Sequence, residues 1–61
     1  MPVIRDTRIP IAVILEQLAA DESWEHLLAG YPEISRQDIR AALSYARSSL
    51  EHGEIEEAAY T

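Results

Sequence analysis

The sequence predicts a small, mainly α domain of three helices, opened by a short N-terminal β segment and closed by an acidic C-terminal tail. Three observations predict it. Apolar residues recur at helical spacing in two consecutive segments, Ile11, Ile14, Leu15, Leu18 and then Trp24, Leu27, Leu28, Tyr31. Ser35 followed by Asp38 opens a third periodic run in the manner of a helix start. Charge is partitioned along the 61 residues rather than spread over them. Residues 1–34 hold two arginines against six acids (net −4), residues 35–50 three arginines against Asp38 (net +2), and residues 51–61 four glutamates and no base (net −4).

Each element has a local reason. Val3-Ile4-Arg5 and Arg8-Ile9 are β-prone fragments on either side of Asp6-Thr7, a pair suited to a tight turn or bulge. Pro10 stands where a first helical turn tolerates proline, so the first helix is placed at about residues 10–20. Asp21-Glu22-Ser23 offers capping side chains and a negative first turn to a short second helix that ends at Gly30. Tyr31-Pro32 breaks the chain. The third helix runs from the Ser35–Asp38 capping box to about Leu50, with Ile39, Leu43, Ala46 and Leu50 as its expected buried stripe and Gly53 as a suitable cap. The division expected is residues 1–50 as the folded domain and 51–61 as a partner-binding tail.

Composition narrows the function. A chain this short buries only about 60% of the surface its unfolded form exposes, so its core is thin and a partner chain is the natural further stabiliser. There is no cysteine, and the histidines are His26 and His52 alone; neither a disulfide framework nor an ordinary zinc site is expected. His26 lies one turn after Glu22 and beside Glu25, too few ligands for a metal. No nucleophile and base share a face, so no catalytic residue, cofactor or enzymatic activity is expected. The longest apolar run, Ile9 to Leu15, falls short of the roughly 20 residues of a membrane span, and no basic flank marks a secretory signal; the expectation is a cytoplasmic protein.

Two blocks carry a family resemblance: Pro2-Val3-Ile4-Arg5-Asp6-Thr7-Arg8-Ile9-Pro10-Ile11, and Tyr31-Pro32-Glu33-Ile34-Ser35 leading into Asp38-Ile39-Arg40-Ala41-Ala42-Leu43-Ser44-Tyr45-Ala46, with Ile14-Leu15-Glu16 between. Over roughly residues 2–50 the chain resembles the prokaryotic domain-of-unknown-function family numbered 433. The resemblance implies a homeodomain-like helix-turn-helix fold and, for many members, a VapB-type antitoxin role beside a PIN-like ribonuclease toxin. The chain departs from the family in carrying Asp6 where glycine is usual, a substitution that a left-handed turn tolerates; the resemblance also implies a further strand ahead of the Pro2 position.

In that context the candidate sites take roles. Arg36, Arg40, Ser44 and Arg47 fall on one face of the third helix with Gln37 beside them. In a helix-turn-helix this face meets the major groove, where arginine pairs with guanine and glutamine with adenine; the plainer alternative is a solvated helix face. Glu51, Glu54, Glu56 and Glu57, with Ile55 and Tyr60 as an apolar edge, are the expected toxin-binding residues, against the alternative of a solubilising tail. Val3, Ile4 and Ile9 are expected to dimerise the chain by pairing strand edges. Trp24 and Tyr31 are expected in the core rather than as a base-stacking platform. The expectation is therefore an antitoxin that binds operator DNA and a ribonuclease toxin as a homodimer or hetero-oligomer. A protein-interaction or scaffold module without DNA binding is the alternative, which the net charge of −6 favours.

Overall fold

The computed structural model describes residues 1–52. It holds three helices, α1 (Ile11–Ala19), α2 (Trp24–Gly30) and α3 (Arg36–Glu51), each packed against the other two. The core draws one fully buried large side chain from each helix, Ile14, Leu27 and Ile39, and is completed by Ile4, Ile11, Ile34 and Ala42. Ile9, Leu15, Leu18, Trp24, Leu28 and Tyr31 pack around it, so the two aromatics, expected in the core, are half-buried at its margin.

The expected β segment is reduced to a single antiparallel bridge, Val3 to Pro10, with no strand among the described residues. The donors explain why. Ile4 N–H donates to the Ile9 carbonyl at 2.8 Å and Ile11 N–H to the Pro2 carbonyl at 3.1 Å, but Pro2 and Pro10 have no N–H to extend the ladder. Ile9 N–H is taken by Thr7 Oγ1, and the Ile4 carbonyl accepts from both Thr7 N–H and Thr7 Oγ1. Asp6 sits at φ 64° as the third residue of the Ile4–Thr7 turn, the place a type II turn gives to glycine.

Pro10 is the N-cap of α1 and offers no side-chain bond. The Pro2 carbonyl instead takes the Ile11 donor, one of the four that a helix start leaves unpaired. At the other end Glu22 N–H donates to Gln17 O and Asp21 N–H to Leu18 O, each at 3.0 Å, which is a Schellman closure. Asp21 takes its left-handed position with φ 71°. Asp21 thus ends α1 and does not cap α2, whose N-cap is Ser23, accepting from His26 N–H at 3.0 Å. Asp21→Val is expected to lower stability by about 1–2 kcal/mol, the usual left-handed penalty for a side chain that cannot relieve it, while Asp21→Gly costs nothing comparable. Paired urea unfolding curves check this, and equal stability of the two variants counts against it.

The capping box of α3 is complete. Ser35 N–H donates to Asp38 Oδ2 at 3.0 Å and Asp38 N–H donates to Ser35 Oγ at 3.3 Å. The buried stripe of this helix differs from expectation. Ile39 and Ala42 are buried and Ala46 half-buried, whereas Leu43 and Leu50 are 41% and 48% exposed. Ile39 and Ala42 lie in the shared core with Ile14 and Leu27, which leaves Leu43 and Leu50 on the flank of the helix. His52 caps α3; Gly53 and the rest of the tail lie outside the described residues.

Candidate nucleic-acid interface on helix α3

The core face of α3 points inward through Ile39 and Ala42, which leaves Arg36, Gln37, Arg40, Ser44 and Arg47 all exposed. The five residues between α2 and α3 form a compact connection: Ile34 N–H donates to Tyr31 O at 3.1 Å, and Ile34 is buried as an anchor. Gln17 Nε2 of α1 donates to the Tyr31 hydroxyl at 2.9 Å, fixing this turn to the first helix. The position of α3 therefore rests on both other helices.

The five candidate residues differ in how free they are. The Arg36 guanidinium lies 4.9 Å from the centroid of the Trp24 ring and 3.7 Å from Glu25 Oε2. Arg47 donates to Glu51 Oε2 at 2.6 Å, one turn along the same helix. Arg40 makes no ion pair among the described residues. Exposed pairs of this kind are worth about 0–1 kcal/mol, and an exposed cation–π contact about 0.5–1 kcal/mol. A phosphate or guanine edge can therefore draw Arg36 and Arg47 away from their partners at small cost. The i, i+4 spacing of Arg47 and Glu51 signals their pairing in the sequence, whereas the contact of Arg36 with Trp24 and Glu25 exists only through the packing of α2 on α3.

The other candidates are distributed differently. Of the residues expected to dimerise, Ile4 is buried in its own core and Ile9 is half-buried; Val3, 43% exposed, offers the most surface. Val3 also lines a groove of about 500 Å3 between the N-terminal turn and α3, together with Arg5, Gln37 and Tyr45. Glu51 is exposed at the end of α3, while Glu54, Ile55, Glu56, Glu57 and Tyr60 lie outside the described residues. His26 Nε2 stands 3.6 Å from Glu22 Oε1 at the surface, and no group of three metal-ligating side chains occurs among the described residues. No described helix is long and apolar enough to cross a membrane.

These features define a small three-helix domain whose last helix presents a basic face in an otherwise acidic chain. Residues 1–46 match the family described as "Protein of unknown function (DUF433)", and the chain belongs to that family. It is 35% identical over 48 residues to the uncharacterized protein y4eO of Sinorhizobium fredii (strain NBRC 101917 / NGR234), across 79% of this chain and 22% of that protein. The chain thus spans about a fifth of the length of this relative. No solved structure matches the chain.

Proposed function

We propose that the protein is the antitoxin of a toxin–antitoxin pair, non-enzymatic and cytoplasmic, which reads operator DNA with α3 and inhibits a PIN-like ribonuclease with its acidic C-terminal segment. The observation that carries the DNA half is the common exposure of Arg36, Gln37, Arg40, Ser44 and Arg47 on a helix whose opposite side is locked into the core. The resemblance to helix-turn-helix antitoxins, drawn from the two sequence blocks, supports the role. A second copy would join through the amino-terminal turn, where Val3 and Ile9 retain surface.

A protein-interaction module without DNA binding is favoured by a different observation, the engagement of Arg36 and Arg47 by Glu25 and Glu51 in a chain of net charge −6. Mobility shift with DNA from upstream of the chain's own reading frame separates the two. Alanine at Arg36, Arg40 or Arg47 is expected to weaken binding by about 1–3 kcal/mol where the lost contact is bidentate to a base. Binding should also fall steeply with salt as displaced counterions return. A triple alanine variant that shifts the fragment as well as the parent chain does would assign the protein to the interaction module.

A further inference from the structure

The fold leaves one flank of α3 uncovered. Ile39, Ala42 and Ala46 turn toward the core, while Leu43 and Leu50 are largely open to solvent, seven residues apart on the same side of the helix. Arg40 and Arg47, both exposed, each precede one of these leucines by three residues. Positions 40, 43, 47 and 50 therefore step by three, four and three, the spacing of a seam along which two helices meet. Arg36, one turn earlier, is held outside the seam by Trp24 and Glu25. Glu51 closes it at the carboxyl end, one turn after Arg47.

This seam is complementary to itself in one direction only. A parallel pairing sets Arg40 against Arg40 and Arg47 against Arg47, and like charges across a contact are destabilising. An antiparallel pairing, with its two-fold axis level with position 45, sets Arg40 of one copy against Leu50 of the other and Leu43 against Arg47. Every layer then joins one arginine to one leucine. The arginine stems lie along the leucines while their guanidinium groups stay in water, and Leu50 of one copy falls within a turn of Leu43 of the other. The same register brings Glu51 beside Arg40 of the second copy, and Arg40 makes no ion pair among the described residues. Glu51 and its own Arg47 are both exposed, so the carboxylate is open to a second cation. A foreign acidic segment on this flank would meet Glu51 itself; a second copy turns that charge to use.

We propose that two copies of the chain pair antiparallel through this flank of α3, with Leu43 and Leu50 of both at the centre and an Arg40–Glu51 ion pair between copies at each end. The seam is only about 16 Å long from position 40 to position 51, which puts the contact in the small, transient class. The inference goes beyond the antitoxin reading and is separate from the contact at the amino-terminal turn. Its consequence for the DNA half of that reading is that pairing covers Arg40 and Arg47, so the paired and the DNA-bound states exclude one another.

Sedimentation equilibrium of the full chain, without DNA, over the micromolar to millimolar range reads the pairing apart from operator binding. The expected result is an association step that Leu43→Ser with Leu50→Ser abolishes, while helical circular dichroism stays as in the parent. Arg40→Glu should raise the dissociation constant of that step about tenfold, because it replaces two exposed ion pairs with two like-charge contacts. Arg40→Glu combined with Glu51→Arg should bring the constant back close to that of the parent. Within one chain positions 40 and 51 stand about 16 Å apart, so this rescue reports a contact between copies. Equal masses for the parent and the serine variant at every concentration overturn the proposal, and any association left would belong to the amino-terminal turn. A charge swap that fails to restore the pairing overturns it as well.

Discussion

Leu27→Ala is expected to remove about 2–5 kcal/mol, a large share of the domain's stability. Leu27 is fully buried, and with Ile14 and Ile39 it forms the centre on which the three helices meet. Truncation of a buried leucine costs about 2–5 kcal/mol, the lost transfer energy adding to that of the cavity. A chain of 61 residues holds in total about 3–9 kcal/mol at the usual 0.05–0.15 kcal/mol per residue. One cavity therefore costs an amount of the same order as the whole, about 2–5 of about 3–9 kcal/mol. Leu43→Ala removes the same atoms from a site that is 41% exposed and is expected to cost about 1 kcal/mol or less, in line with surface changes. Helical circular dichroism against urea for the two variants gives the comparison. Equal losses would mean that α3 is packed through Leu43 rather than through Ile39 and Ala42.

Deleting residues 54–61 is expected to reduce inhibition of the ribonuclease by orders of magnitude while leaving the helices folded. The folded half follows from the core, whose buried members among the described residues lie between Ile4 and Ala42. The inhibitory half follows from what an RNA-cleaving partner needs, a basic channel leading to its metal-binding carboxylates, which an acidic segment can fill in place of RNA. Four glutamates supply the attraction, and Ile55 and Tyr60 supply apolar anchors of the kind that dominate binding energy. Ile55→Ala with Tyr60→Ala should reproduce part of the loss even at low salt, where charge alone attracts most strongly. The assay is RNA cleavage by the ribonuclease that copurifies with the chain, with truncated and full-length protein added. Full inhibition by the truncated chain would move the contact to α1 and α2.

What could be read from the residues alone was whatever local chemistry decides. Ser35 and Asp38 announce the start of α3 because a capping box needs only four consecutive residues, and Gly30 marks the end of α2 for a similarly local reason. The co-facial arginines follow from helical period, so the candidate interface was legible once α3 was placed. The inward face of α3 was not. Leu43 and Leu50 match the heptad spacing of a buried stripe, but the core takes Ile39 and Ala42 instead, and the period of one helix does not record which side its neighbours cover. Asp21 illustrates the same limit: an acid before a helix resembles an N-cap, and only the Glu22 to Gln17 bond shows that it closes the preceding one. The loss of the strand was implicit in Pro2 and Pro10, although the diversion of Ile9 N–H to Thr7 Oγ1 depends on a turn geometry that the residues only suggest.

The seating of Ile4 in the core with Ala42 bears on how this protein comes into being and disappears. Residue 4 leaves the ribosome well before residue 42, yet the core it joins is not complete until the middle of α3 has been synthesised. The bonds from Ile4 N–H to the Ile9 carbonyl and from Ile11 N–H to the Pro2 carbonyl are local, but the burial of Ile4 waits for α3. The domain has no independent half to fall back on. A protease that engages this domain meets one core to which all three helices contribute.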